Sequence, residues 1–257
     1  MMQALHKLLL CHLLACLGLN ALGSEIIHGH TAPPKQMLYM ASVQTRKGHV
    51  CGGSLIRNNF VLTAAHCANG RDPLVRVVLG THNLKKTGTV RKIERRCKHR
   101  DYRNDTDEND IMLLKLSKSV PVGGTIQRIQ LPPPNMNLQP NQKCSVAGWG
   151  RTEQSDQHTV TDLRVVDVSV VDQNDCRRQW YKSKLNLPAS VICAGGYKTL
   201  KGACQGDSGG PLVCNEVAAG VVSFGDKYCR DPDLPNIYTD VSKFLPWIDQ
   251  IVSQNGC

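Results

Sequence analysis

The chain has 257 residues, enough for one large domain or two modest ones with a sizeable core. Aromatic residues make up only 5%, but Val, Ile and Leu are plentiful, which excludes a disordered composition. The formal net charge of +10 admits polyanionic partners such as proteoglycan chains, or no more than a solvated surface. No nucleic-acid-binding motif accompanies it.

The first residues read as a secretory leader. Lys7 supplies a positive start, Leu8 through Leu19 a short apolar core, and Ala21-Leu22-Gly23 small residues at a cleavage site. A membrane anchor is the competing reading. The run is too short to span roughly 30 Å of hydrocarbon, and His12 interrupts it. No later stretch is apolar for long enough to span. Residues 1–23 are therefore expected to be a signal peptide, and the protein to be exported. Lys7 and Glu25 cancel, so the chain from Ile26 keeps the whole positive charge. Much of it sits in Lys85-Lys86, Arg91-Lys92, Arg95 through Arg100 and Arg177-Arg178.

Of twelve cysteines, Cys11 and Cys16 leave with the leader. The even remainder in an exported chain reads as disulfides. Zinc is disfavoured, because no Cys-x-x-Cys pair exists and Cys67 directly follows His66.

Beyond the leader the chain reads as short strands between polar turns. Ser54-Leu55-Ile56 and Phe60 through Thr63 flank Arg57-Asn58-Asn59 as a hairpin. Val75–Leu79, Ile111–Leu116, Leu163–Val168 and Gly220–Phe224 are further strands, rich in β-branched and aliphatic residues. Such repetition predicts an all-β protein of barrels or a sandwich. Leu131-Pro132-Pro133-Pro134 cannot be central strand and serves as the linker between halves. A helix is expected at the end, capped by Ser242, with Pro246 in its first turn and Leu245, Ile248 and Val252 on one face.

Gly206-Asp207-Ser208-Gly209-Gly210-Pro211 carries the most chemistry. Flanking glycines let a substrate approach and turn backbone N–H groups toward an oxyanion. A serine nucleophile needs a base, and His66 in Thr63-Ala64-Ala65-His66-Cys67 can be one. The base needs a carboxylate, and Asp110, just before an apolar strand, can be buried there. Each residue alone has a bland reading: a turn serine, a structural histidine, a strand-capping aspartate. The chain order His, Asp, Ser is that of the chymotrypsin type and differs from the subtilisin and α/β-hydrolase orders.

The chain resembles the chymotrypsin-family serine proteases over residues 26–257. The resemblance rests on Ile26-Ile27-His28-Gly29, Cys51-Gly52-Gly53-Ser54-Leu55, Thr63 through Cys67, Asp110-Ile111-Met112-Leu113-Leu114, Val146-Ala147-Gly148-Trp149-Gly150, Gly206 through Pro211 and Ser223-Phe224-Gly225. It implies two six-stranded antiparallel barrels with a C-terminal helix, the barrels spanning 26–131 and 132–257, and a catalytic cleft between them. It implies Ser208 as nucleophile, His66 as base and then acid, Asp110 as its partner, and the N–H groups of Gly206 and Ser208 as the oxyanion hole. Protein substrates and serpin-type inhibitors follow as partners. By the same resemblance Cys51 pairs with Cys67, Cys144 with Cys214, Cys176 with Cys193 and Cys204 with Cys229. Cys97 and Cys257 remain, either paired internally or with Cys97 bridging a dimer.

Counting back from Ser208, the resemblance places Gly202 at the floor of the primary specificity pocket, Ala203 beside it, Gly225 at its mouth and Asn236 in the opposite wall. Ser223-Phe224-Gly225 resembles the segment that pairs with an extended substrate, with Phe224 where many relatives have Trp. Without an acid at the floor, cleavage after Lys or Arg is disfavoured, and a large apolar residue, Met or Leu is expected. The loop Thr81 through Lys86 has no carboxylate, so no metal, and no cofactor, is expected. Asn104-Asp105-Thr106 is a glycosylation sequon near Asp110.

In relatives, a freed amine at Ile26 pairs with Asp207. Cleavage after Gly23 would leave Ser24-Glu25 as an activation dipeptide, 24–25. Such an acidic pair resembles those of granzymes and mast-cell proteases, which a dipeptidyl peptidase removes in granules. His28 stands where the family usually has Gly. The rival reading is a basic heparin-binding or antimicrobial granule protein in which proteolysis is secondary.

Overall fold

The computed structural model describes residues 26–152 and 159–257. The expected leader 1–23, its two cysteines and the dipeptide 24–25 lie outside the described residues. The described chain opens with a two-residue strand, β1 (His30–Thr31). Six antiparallel strands follow: β2 (Met40–Thr45), β3 (Gly48–Arg57), β4 (Phe60–Thr63), β5 (Arg76–Leu79), β6 (Thr89–Lys98) and β7 (Met112–Leu116). They close into a barrel in the order β2-β3-β4-β7-β6-β5. Phe60, Leu62, Leu113 and Ile111 are among its fully buried residues.

The second unit holds β8 (Lys143–Gly148), β9 (Arg164–Ser169), helix α1 (Gln173–Lys182), β10 (Val191–Ala194), β11 (Pro211–Cys214), β12 (Val217–Phe224), β13 (Asn236–Asp240) and helix α2 (Leu245–Ser253). Its sheet runs β1-β9-β8-β11-β12-β13-β10. An isolated antiparallel bridge between Val170 and Ala194 joins the end of β9 to β10, so β8 to β13 curl round on themselves. β1 is thus an addition from the other half of the chain, paired as His30 with Val165 and Thr31 with Arg164.

The other end crosses over too. Val241, Phe244, Ile248 and Ile251 belong to the same buried cluster as the first barrel's Leu55, Leu113 and Ile111. The structure pairs Cys97 of β6 with Cys257, pinning the C-terminus to that barrel. The other pairs are Cys51–Cys67, Cys144–Cys214, Cys176–Cys193 and Cys204–Cys229.

Two local readings change. Ser242 does not cap the final helix: it sits in a 3-10 turn, Val241–Lys243, where the Asp240 carboxylate accepts its N–H at 3.0 Å. α2 starts at Leu245 without a side-chain cap, and Pro246 fits its first turn because that turn needs no N–H. Helix α1 was not anticipated. Asp172 caps it by accepting from the N–H groups of Asn174 and Asp175, and Cys176 and Trp180, four apart, form its buried stripe.

Candidate active site

Pairing between β4 and β7 brings His66 to Asp110. Thr63 is the partner of Met112, so three residues past one and two before the other the chains still lie side by side. The Asp110 carboxylate, with no exposed side-chain surface, accepts the His66 backbone N–H at 2.9 Å and the ring Nδ1–H at 2.7 Å. Ser223 Oγ donates to the same carboxylate at 2.6 Å, and Thr239 Oγ1 donates to the Asp110 carbonyl at 2.8 Å. These two donors come from β12 and β13, so the second unit braces a residue of the first.

Burial pushes the Asp110 carboxyl up, but the hydrogen bond and charge of His66, with the Ser223 bond, outweigh it and hold it below the usual range. Burial pushes His66 down, yet Asp110 and the nearby Asp107 raise it above the ordinary histidine value, against Lys98. Such an imidazole readily accepts a proton and has the tautomer of a base whose Nε2 is bare.

Ser208 lies half-buried in the loop before β11. Its carbonyl accepts the Gly52 N–H at 2.8 Å, and the next N–H, of Gly209, reaches Val222 O at 2.8 Å. Gly206 and Gly209 have φ of +100° and +80°, where a Cβ would meet Gly150 and Thr159, or Thr63 and Gly52. Only glycine fits there. Asp207 between them is fully buried and accepts from Gly150 N at 2.7 Å and Cys204 N at 2.9 Å. Burial pushes its carboxyl up to about 7 despite those bonds. Ile26, also fully buried, shares a core cluster with Ala203. His28 has a φ of 58°, a left-handed backbone that explains why glycine is usual at this place.

Several contributing residues escaped the sequence reading. Burial lowers the His49 pKa to about 4, so its ring is neutral. Its Nε2–H donates to Gly206 O at 3.0 Å, and its Nδ1 lies 2.8 Å from Ser42 Oγ. Gln44 donates to Ser42 Oγ at 3.0 Å, and Arg76 donates to Gln44 Oε1 at 2.9 Å. This chain of bonds fixes the carbonyl beside the glycine N–H. The readable signal was Ser42 and Gln44, two polar residues in a strand buried at every position.

A cavity of about 180 Å³ next to Ser208 is lined by Ala203, Val222, Gly225, Asp226 and Asn236, with Ser223 and Phe224 also on its wall. Gly202 is not on that wall. It lies behind, because Asn236 Oδ1 accepts the Ala203 N–H at 3.1 Å and occupies the space a Cβ of residue 202 would need. The amide of Asn236 is therefore the effective floor. Asp226 is a lining residue that counting back from Ser208 did not reach. Phe224 packs edge-on against Trp180, with ring centres 5.4 Å apart. Asn104 is exposed at the rim, hydrogen-bonded to Asn69.

His66, Asp107 and Asp110 present ligand atoms within 4.8 Å of one another. The Asp110 oxygens already accept three donors, so this group suits proton transfer better than a metal. Cys51 and Cys67, near the same histidine, are joined in a disulfide.

Two antiparallel β units with a histidine, a buried carboxylate and a glycine-framed serine between them define a class of hydrolytic enzyme. A family model described as Trypsin matches residues 26–248. Duodenase-1 of Bos taurus is 40% identical over 246 residues, covering 93% of this chain and 94% of that protein. Granzyme B(G,H) of Mus musculus is 39% identical, covering 97% of this chain and all of that protein. Mast cell protease 3 of Ovis aries is also 39% identical, with 90% of each covered. The solved structure of mouse neuropsin, a serine protease, superposes with a TM-score of 0.77 at 30% identity, over 87% of this chain and 98% of that one. The chain belongs to the trypsin family of serine proteases and is a serine endopeptidase.

Proposed function

We propose that Ser208, His66 and Asp110 hydrolyse peptide bonds through an acyl-enzyme, and the observation that carries this is the 2.7 Å bond between His66 Nδ1 and the buried Asp110. Ser208 Oγ attacks the substrate carbonyl while His66 Nε2 takes its proton. Asp110 stabilises the imidazolium, and the N–H groups of Gly206 and Ser208 hold the oxyanion. His66 returns the proton to the leaving amine, and water then releases the acyl group by the same route. Labelling of Ser208 by a fluorophosphonate tests this, and an unreactive processed protein would sink it.

Release of the amine at Ile26 by a dipeptidyl peptidase, after signal cleavage at Gly23, is the activating step. Asp207 supports it: a fully buried carboxylate beside the oxyanion loop calls for an opposite charge. The units 26–131 and 132–257 fold as two barrels with exchanged ends. The primary pocket takes a large apolar residue, Met or Leu, since its floor is the neutral Asn236 amide. Peptide-library profiling checks this, and dominant cleavage after Lys or Arg refutes it.

Storage in granules and export follow from likeness to granzymes and a mast cell protease, and no described helix is long and apolar enough to cross a membrane. Polyanion binding by proteoglycan or heparin has a specific support. Arg76 faces Lys92 across neighbouring strands of the first barrel, and both are exposed. Like charges placed opposite destabilise a sheet, and a polyanion relieves that. Loss of salt-dependent heparin retention on charge reversal of Arg76 and Lys92 is the expected result. A monomer sensitive to serpin-type inhibitors, glycosylated at Asn104, completes the reading.

A further inference from the structure

Three tyrosines of the second unit stand next to a lysine in the sequence: Tyr181-Lys182, Tyr197-Lys198 and Lys227-Tyr228. The fold gathers their loops at one end of that unit. Helix α1 is tied to the stretch before β13 by Trp180, whose Nε1–H donates to Pro235 O at 3.0 Å. The loop of Tyr197 is tied to the same stretch by the Lys198 N–H, which donates to Pro232 O at 2.6 Å. Tyr181 and Tyr228 are 70% and 67% exposed, more than any other large apolar residue among those described. Helix geometry explains the first: with Cys176 and Trp180 turned inward, the next residue is carried about 100° round the axis toward water. Lys184 then takes a left-handed backbone, with φ of 64°, and the Leu185 N–H returns to Trp180 O at 3.0 Å. That ends the helix and leaves Leu185 exposed as well. Arg177 fixes the turn by donating to Leu187 O and Pro188 O, both at 2.8 Å.

Charge accompanies the rings. Residues 176–187 hold Arg177, Arg178, Lys182 and Lys184 and no acid. Lys198 lies over the Tyr197 ring at 5.0 Å, and Lys227 over the Tyr228 ring at 5.3 Å. Among the described residues no carboxylate pairs with Lys182, Lys184, Lys198 or Lys227. The acids of these loops are turned onto the backbone: Asp226 accepts the Tyr228 and Arg230 N–H groups, and Asp231 accepts that of Asp233. A ring with a wet polar tip, beside an unpaired cation, suits the depth of lipid headgroups. Anionic headgroups attract the lysines, and the tyrosines and Leu185 gain by leaving water. We propose that this end of the second unit docks on anionic phospholipid surfaces. The docking is peripheral, since no described helix is long and apolar enough to cross a membrane. A soluble polyanion would engage the lysines and leave the rings in water, so the rings favour the lipid surface. Lys227 also lines the cavity beside Ser208, so docking sets the mouth of the cleft against the membrane and favours protein substrates held there. The docking itself does not depend on the proteolytic reading.

The test uses the chain lacking residues 1–25 and vesicles of phosphatidylcholine, alone or mixed equally with phosphatidylserine, with bound protein read by sedimentation. Binding to the mixed vesicles that weakens with salt, and little binding to phosphatidylcholine, is the expected result. Tyr181→Ser with Tyr228→Ser keeps the net charge and should weaken binding by about tenfold or more. Lys182→Gln with Lys184→Gln should weaken it by about twentyfold, near fivefold for each charge. Lys85→Glu with Lys86→Glu, on the first barrel, should leave it within about threefold, because charges well beyond a Debye length are screened. All six residues are exposed, and unchanged melting temperatures show that the variants fold. Absence of binding to the mixed vesicles, or binding that the tyrosine pair leaves unchanged, overturns the inference. Retention on heparin without vesicle binding also overturns it and assigns the lysines to a soluble polyanion. Each of these results leaves the proteolytic reading standing, since fluorophosphonate labelling decides that separately.

Discussion

The charge state of Asp207 gives a stability measurement that separates the unprocessed from the processed chain. The perturbation is removal of residues 1–25, with Asp207→Asn as a control. The folded carboxyl is pushed from 3.8 to about 7 by burial. A folded state that holds a proton more tightly than the unfolded one loses stability as pH rises through that interval. Between pH 5 and pH 8 the loss spans about two pK units, or roughly 3 kcal/mol. His49 works in the opposite direction: its pKa is lowered to about 4, so its contribution is fully present above 6.5 and lost below. His66, raised, adds a loss with rising pH of the same sign as Asp207. The comparison must therefore be a double difference. Melting of the unprocessed protein and of its Asp207→Asn variant is recorded at both pH values, at one ionic strength. The unsubstituted chain should lose roughly 6–12 °C more than the variant. On the activation step proposed above, an ammonium freed at Ile26 partners the carboxylate, and in the processed protein the excess should vanish. An unprocessed chain whose melting temperature holds or rises relative to Asp207→Asn would refute the reasoning.

Ser42→Ala removes one link in the bonds from Arg76 to Gly206. It should lower kcat by about tenfold, short of the hundredfold or more that outright loss of an oxyanion donor costs, with KM little changed. An unchanged kcat shows that the Gly206 carbonyl does not depend on His49. Cys257→Ser should cost roughly 2–5 kcal/mol of stability, read by denaturant unfolding. Because Cys97 is 1% exposed, the variant should stay monomeric on non-reducing electrophoresis, and a band at twice the monomer mass contradicts its burial. Gly202→Asp alone should not create cleavage after Lys or Arg, because the new Cβ meets Asn236 Oδ1. Gly202→Asp with Asn236→Gly should create it, as profiling of both variants will show.

What the sequence made legible was local chemistry. His66, Asp110, Asp207 and Ser208 stand in distinctive short motifs, and strands such as Phe60–Thr63 announce themselves by unbroken apolar runs. β6 did not, because only Ile93 and Cys97 are buried while Arg91, Lys92, Arg95, Arg96 and Lys98 fill most of the rest. Its register shifts between Ile93 and Arg95, which breaks the alternation that a reader would look for. Helix α1 was hidden for a related reason: its mean composition is polar, and its identity rests on the Asp172 cap and two residues four apart.

The pocket was less legible because its shape depends on contacts between segments far apart in sequence. Counting residues from Ser208 locates Gly202 and Ala203 along the backbone but not the direction of a side chain 33 residues later. Asn236 turns its amide onto the Ala203 N–H, and that one bond converts a glycine floor into an amide floor. Asp226 and Asp107 were invisible on the same ground, since nothing in Gly225-Asp226-Lys227 or Thr106-Asp107-Glu108 marks an acid that faces a cleft rather than water. Backbone pairing of β4 on β7 brings His66 to Asp110, donors from β12 and β13 brace that carboxylate, and Ser208 is held by backbone bonds of the loop before β11. The pocket is lined by side chains at the ends of β12 and β13 and on the loops beside them, whose orientation only the assembled fold fixes. The same division explains why a chain this similar to known proteases in its motifs can differ from them in what it cuts.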